Sequence, residues 1–179
     1  MKNFRSDIFQ YLGPLTWKEV FDMWKKDDTS QASIETYYQS KGFHSWEDWS
    51  NTYTQPLKCS EANWHLYEIF RPEKNVPNFY GGPFREWVDN FYEGKSIVEF
   101  SELIKSPSIR KNKIISDLVN DFPKSTVLTG LIIDGKIVIL EGMHRCCALA
   151  LINEKKDVIS GKISIALAEY TGKGLPIVG

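Results

Sequence analysis

The most informative segment of the 179-residue sequence is a short turn in which a glycine is closely followed by a histidine and an arginine. Residues 137–141 show an apolar strand pattern, Gly142 allows a sharp turn, and His144 and Arg145 begin a helix pattern. A helix N-terminus presents unpaired N–H groups and a partial positive charge, so it attracts anions. The planar guanidinium of Arg145 suits phosphate, and His144 adds a donor. The turn predicts a phosphate site, whereas the alternative is an arginine in a surface salt bridge beside a capping histidine.

This turn lies within a run of elements that is typical of a small α/β unit. Asp134-Gly135 between two apolar runs predicts a tight β-hairpin. Ser106-Pro107 predicts a helix start, because proline is tolerated at the first helical position. The predicted elements are a strand over 96–100, a helix over 106–122, strands over 127–133 and 136–140, a helix of small residues over 144–151 and a strand over 162–170.

The first half of the chain is predicted to be helical, and five of the six tryptophans lie before residue 65. Thr16 begins a Thr-x-x-Glu capping box, and Ser45 is a second candidate cap. Residues 72–83 contain three prolines and two glycines, which argues against a helix or a central strand and predicts a loop. That loop is either an interdomain linker or a segment on the substrate side. Further helices are predicted from Ser30 or Ser33 to Tyr37, from Ser60 through Trp64, Tyr67 and Phe70, and over residues 84–92.

Together these elements predict an α+β fold with a boundary near residue 93. Residues 1–92 are expected to form an aromatic-rich helical extension, packed on a small mixed α/β domain over residues 93–179. We expect the aliphatic second half to hold the phosphates. The aromatic half is expected to wall a substrate pocket or to contact a protein partner.

The overall composition is that of a globular protein, with 42% hydrophobic and 25% charged residues and a net charge of -1. Nucleic-acid affinity depends largely on neutralised phosphates, so this balance argues against nucleic acid as the main partner. The sequence has no apolar run of the roughly 18 residues that a membrane span needs, and its N-terminus lacks an export signal. Three cysteines form no disulfide framework, so we expect a reduced, cytoplasmic setting. The three histidines show no metal-ligand spacing, and no dedicated metal site is predicted.

Residues 96–170 resemble the ParB/sulfiredoxin superfamily in the order of their elements and in three short motifs. The resemblance covers under half of the chain. It implies that the Gly-x-His-Arg turn binds nucleotide phosphates, which agrees with the argument from the helix N-terminus. The motifs are Ser106-Pro107-Ser108 before the helix, Asp134-Gly135 in the hairpin, and Glu141-Gly142-Met143-His144-Arg145 followed by Ala148.

Three branches of this superfamily differ at the turn. Sulfiredoxins carry an essential cysteine directly before His-Arg, where this chain has Met143, while Cys146 and Cys147 follow the arginine. ParB-type partition proteins usually carry Gly-x-Arg-Arg and a following helix-turn-helix domain, which we do not expect in this chain, since the sequence ends shortly after Tyr170. Free-serine kinases and related enzymes carry Gly-x-His-Arg and an acidic catalytic residue, so the chain is most similar to that branch.

The kinase-like branch implies a phosphotransferase that uses ATP or another nucleotide, with Mg²⁺ carried in by the nucleotide. Its chemistry needs a carboxylate that accepts the hydroxyl proton, for which the candidates are Glu141, Glu99 and Glu102. The candidate phosphate-binding residues are Gly142, Met143, His144, Arg145, Lys113 and Ser108, with Lys111 and Ser106 as further donors.

We therefore predict a nucleotide-dependent phosphotransferase that acts on a small hydroxyl-bearing metabolite. Two alternatives stay open at this point. One is a non-catalytic ParB-like regulatory module that binds nucleotide or nucleic acid without turnover. The other is a protein-interaction domain in which the aromatic half docks a partner and replacement of Arg145 leaves function unchanged.

Overall fold

The structure is a computed structural model that describes residues 4–29 and 34–179. Within these residues, six strands form one mixed sheet in the order β1-β2-β6-β4-β5-β3. β4 runs parallel to β6 and β3 parallel to β5, whereas the other neighbouring pairs are antiparallel. The predicted α+β class is confirmed. The strands are β1 (Phe9–Leu15), β2 (Trp64–Ile69), β3 (Tyr80–Gly81), β4 (Ser125–Ile133), β5 (Lys136–Glu141) and β6 (Lys162–Glu169).

Side-chain caps start two of the helices where the sequence predicts them. The Thr16 N–H donates to the Glu19 carboxylate at 2.7 Å, and the Glu19 N–H donates to Thr16 Oγ1 at 3.3 Å, so the capping box is confirmed. Ser45 Oγ accepts the Asp48 N–H at 3.0 Å. The helices are α1 (Trp17–Thr29), α2 (Ile34–Ser40), α3 (Trp46–Thr54), α4 (Pro72–Asn75), α5 (Arg85–Phe91), α6 (Phe100–Leu103), α7 (Pro107–Arg110), α8 (Lys113–Asn120) and α9 (Met143–Glu154).

The helix predicted through Trp64, Tyr67 and Phe70 is wrong, because these residues form or follow β2. β2 pairs antiparallel with both β1 and β6. Trp64 and Tyr67 are three residues apart and therefore lie on opposite faces of the strand, where each is buried in a different apolar cluster. A strand that is buried on both faces lacks the alternation of apolar and polar residues, so helical spacing is easily read into it.

Two predictions between residues 72 and 100 are also wrong. Residues 72–83, predicted as a loop, contain α4, a 3₁₀ turn over Val76–Asn78 and the edge strand β3. The helix forms because Pro72 stands at its first turn, where a missing N–H costs nothing. The strand predicted over 96–100 is not formed, since Glu99 makes an isolated bridge to Tyr80 and Phe100 begins α6. The predicted cap of α2, Ser30 or Ser33, lies outside the described residues.

The sheet separates two apolar clusters. On one face, residues of α6, α8 and α9 pack over Ile137 and Ile139 of β5. On the other face, Trp24 of α1 and Trp46 of α3 pack over Leu140 of the same strand. Strand residues alternate between the two faces, so β5 contributes to both clusters. Its last residue, Glu141, contacts Arg145 of α9, which also contacts Asp27 of α1.

The first half of the chain, predicted as a helical extension over 1–92, contains helices and also contributes β1, β2 and β3 to the sheet. The domain boundary near residue 93, dividing 1–92 from 93–179, stays a prediction. Among the described residues, none of the helices combines the length and apolarity that crossing a bilayer requires.

Candidate functional site

The turn between β5 and α9 adopts a conformation that requires its glycine. Gly142 has a φ of 98° and is the N-cap of α9. A Cβ atom at this position would lie 2.4 Å from Leu128 Cδ2 on β4, so a side chain is excluded by space as well as by backbone conformation. The next residue, Met143, is 6% exposed, and its sulfur accepts the Gly82 N–H at 3.4 Å. The methionine therefore anchors the helix start to the segment after β3.

Arg145, in the first turn of α9, is the centre of a charged cluster. Its side chain is 13% exposed, and its Nη1 donates to Asp27 of α1 at 2.8 Å. The guanidinium also donates to Thr126 Oγ1 on β4 and to the carboxylate of Glu141. Burial alone would lower the pKa of Arg145, but the carboxylates of Glu141 and Asp27 outweigh burial and raise that pKa. The guanidinium is therefore charged throughout the physiological pH range.

The two carboxylates differ in how firmly the fold holds them. The Glu141 side chain is 11% exposed and belongs to the end of β5, four residues before Arg145 on the same sharp turn. The Asp27 side chain is 39% exposed and comes from the last turn of α1, on the opposite side of the sheet. One cation thus faces two anions. The anions beside Arg145 in this structure are protein carboxylates, as in the salt-bridge alternative, and the phosphate site stays a prediction.

His144 lies beside this cluster but faces another element. Its ring centroid is 5.3 Å from that of Trp87 on α5, in an edge-on arrangement. Burial lowers the pKa of His144, and nearby Arg145 lowers it further, against an opposing effect of Glu86. The imidazole is therefore neutral at pH 7. It can donate or accept a hydrogen bond near a bound anion, but it adds no positive charge to the turn.

The other two candidate carboxylates pair with residues outside the turn. Glu99 accepts a hydrogen bond from the Tyr80 hydroxyl at 2.7 Å, and Lys136 Nζ is 5.0 Å from the Tyr80 ring centroid. Lys136 is the first residue of β5, whereas the turn follows its last residue. Tyr80 pairs with Val138, so the contact between Tyr80 and Glu99 lies beside the middle of β5. Glu102 is exposed and forms an ion pair with Lys105 at 2.6 Å. Of the three predicted catalytic residues, only Glu141 contacts the turn.

The predicted helper residues Lys113 and Ser108 are not brought to the turn either. Ser108 lies on α7, whose Arg110 forms a two-pronged ion pair with Glu154 at 2.8 and 2.6 Å. Glu154 is the last residue of α9, roughly 16 Å along the helix from its start. Lys113 is exposed and pairs with Asp117 of its own helix at 2.7 Å. Within the described residues, neither side chain forms a hydrogen bond or ion pair with the turn, and their assignment to the phosphate site stays a prediction.

Asp27 and Thr126 are the site residues that sequence reasoning missed. Asp27 follows two lysines and an aspartate follows it, a pattern typical of a solvated helix end. It is 118 residues from Arg145 in the chain, so no local spacing connects the two. The contact exists only because α1 and α9 lie on opposite faces of one sheet and both reach the same end of it.

The two cysteines after the turn do not expose their thiols to solvent. Cys146 and Cys147 are fully buried free thiols. Burial raises the pKa of both, so they stay protonated at neutral pH and serve as small packing residues. In the described parts of the chain, no group of three or more His, Cys, Asp and Glu side chains is arranged to hold a metal ion.

Comparisons of this chain with protein-family models, with curated proteins and with solved structures found no match.

Proposed function

We propose that this protein is a nucleotide-dependent phosphotransferase that binds phosphates at the Gly142–Arg145 turn and acts on a small hydroxyl-bearing metabolite. One observation carries the proposal. A buried, permanently charged guanidinium stands in the first turn of a helix whose N-cap is a glycine without a capping side chain. A phosphate bound at this helix start would accept hydrogen bonds from unpaired backbone N–H groups and from the guanidinium. The resemblance of residues 96–170 to the ParB/sulfiredoxin superfamily, in its kinase-like branch, supports the same assignment.

Glu141 is the residue that we assign to proton transfer. It adjoins the turn and is held by Arg145, so its carboxylate has a fixed position beside any phosphate bound there. In the proposed reaction the substrate hydroxyl oxygen attacks the terminal phosphorus, and the bond to the bridging oxygen breaks. The hydroxyl proton passes to Glu141, and the nucleotide leaves one phosphate shorter. Mg²⁺ bound to the nucleotide would offset charge on the phosphates.

Calorimetric titration with ATP, ADP and CTP in the presence of Mg²⁺ tests the binding step. We expect binding by the wild type, and a loss of affinity of about tenfold or more in Arg145→Lys, because lysine lacks the planar fork. Arg110→Lys is the matched control, because Arg110 forms an exposed ion pair with Glu154, the last residue of α9. Absence of binding at millimolar nucleotide would refute the proposal.

Turnover is tested separately by phosphorus NMR with a panel of small alcohols and amino acids that carry a hydroxyl. Glu141→Gln keeps the shape of the side chain and removes the proton acceptor, so it should bind nucleotide and transfer no phosphate. Equal turnover by this variant would exclude Glu141 as the base.

A non-catalytic nucleotide-binding regulator is the second candidate, and one observation favours it. Of the three predicted carboxylates, Glu99 and Glu102 pair with residues outside the turn, and Glu141 is already ion-paired with Arg145. This candidate predicts nucleotide binding that depends on Arg145 and no phosphate transfer to any substrate. We also propose a cytoplasmic location, since the three cysteines are free thiols in a fold that keeps them buried.

A further inference from the structure

We infer that Asp27 is an internal competitor that occupies the phosphate position at Arg145 and must leave when a ligand binds, an inference that rests on the proposed function. The Asp27 carboxylate lies 2.8 Å from Arg145 Nη1. A carboxylate and a phosphate oxygen make the same kind of charge-assisted bond to a guanidinium. An anionic ligand at the turn and Asp27 therefore compete for the same donor.

Asp27 is the partner of Arg145 that is easiest to exchange. It stands in the last turn of α1, where the helix dipole is negative and disfavours a carboxylate. Its attraction to Arg145 offsets that disadvantage. Glu141 is fixed by the end of a central strand, and Thr126 lies on the neighbouring strand β4. The side chain of Asp27 is also more exposed than that of Glu141, 39% against 11%. A ligand that arrives from solvent meets Asp27 first.

This arrangement couples ligand binding to the end of α1. Asp27 links the helical layer on one face of the sheet to α9 on the other. When phosphate takes its place, the last turn of α1 loses its charged anchor while Trp24, one turn earlier, stays in the core. The coupling is reciprocal: the Asp27–Arg145 contact weakens ligand binding, and a bound ligand weakens the Asp27–Arg145 contact by the same free energy. The wild type should therefore bind more weakly than a chain without the competing charge.

Two measurements with ATP and Mg²⁺ test the inference. In calorimetric titration, Asp27→Asn should bind ATP about 5- to 20-fold more tightly than the wild type. Asp22→Asn is the matched control, because Asp22 lies on the same helix in an exposed pair with Lys18, and it should leave the affinity unchanged. In hydrogen exchange on the wild type, which requires no variant, saturating ATP should accelerate exchange of the amides of residues 25–29.

The outcomes separate this inference from the proposed function. Tighter binding by Asp27→Asn together with faster exchange at the end of α1 supports both. Equal affinity in the wild type and Asp27→Asn, or unchanged or slower exchange in that segment, overturns the competitor and leaves the nucleotide site standing. If Asp27→Asn fails to fold, the exchange measurement on the wild type decides the question. Absence of ATP binding in every variant, Asp27→Asn included, overturns both.

Discussion

Replacement of Gly142 by alanine tests the geometry on which the whole turn depends. Gly142 has a φ of 98°, a region that residues with a side chain rarely adopt, and the added Cβ would lie 2.4 Å from Leu128 Cδ2. Leu128 is fully buried on β4 and cannot move away without disturbing the core. Two independent costs therefore act at one position.

The magnitude follows from these two contributions. A left-handed backbone conformation costs a residue with a Cβ about 1–2 kcal/mol. Overpacking of a well-packed core costs about 1–3 kcal/mol. We expect Gly142→Ala to lower the free energy of unfolding by about 2–5 kcal/mol, which is a large share of the total stability of an ordinary domain.

Gly94→Ala isolates the backbone contribution. Gly94 has a φ of 83°, and a Cβ there would have no atom within 4 Å. Urea unfolding of both variants, analysed by linear extrapolation, should show a loss at Gly142 that exceeds the loss at Gly94 by at least about 1 kcal/mol. Equal losses in the two variants would refute the contact with Leu128 as the reason for the glycine.

Two further predictions concern the charges at the turn. Arg145→Met leaves the buried Glu141 without its cation, so it should lower the free energy of unfolding by about 3–5 kcal/mol. Arg110→Met removes the cation of an exposed pair and should lower that free energy by about 1 kcal/mol or less. Similar losses for the two variants in urea unfolding would contradict the buried ion pair. His144 has a lowered pKa in the folded protein, so the unfolded chain binds its proton first as the pH falls. Stability should therefore be complete above about pH 6.5 and decline as the pH falls through the lowered folded-state value. Melting temperatures measured between pH 7.5 and 5 should depend less on pH in His144→Gln than in the wild type. His44→Gln is the control and should keep the pH dependence of the wild type. An unaltered pH profile in His144→Gln would show that burial does not keep the imidazole neutral.

The positions that the sequence predicts correctly are those governed by neighbouring residues. The capping box at Thr16, the cap at Ser45 and the hairpin at Asp134-Gly135 each arise within a few residues, and the structure contains all three. The Gly142 turn belongs to the same class, because a glycine after an apolar strand allows the backbone to enter a helix. Local conformational preferences are enough to determine such features.

Errors occur where burial, and not local preference, selects the structure. Tyr67 and Trp64 belong to a strand that is covered on both faces, so hydrophobic spacing alone does not separate strand from helix. The neighbour of Glu99 also depends on pairing, because β3 pairs with β5 through Tyr80 and Val138, and the Tyr80 hydroxyl donates to Glu99. Strand pairing is a long-range property and leaves little trace in a local pattern.

The sequence by itself determined that a glycine turn, an arginine and a neighbouring glutamate would meet at one helix start, since all of them lie within five residues. Only the tertiary structure decided what the arginine faces. Asp27 is 118 residues away from Arg145, and the two meet because one sheet carries α1 on one face and α9 on the other. A buried guanidinium must be paired with an anion wherever the fold places it. Which residues become its partners depends on the chain segments that the packing of the sheet brings to the start of α9.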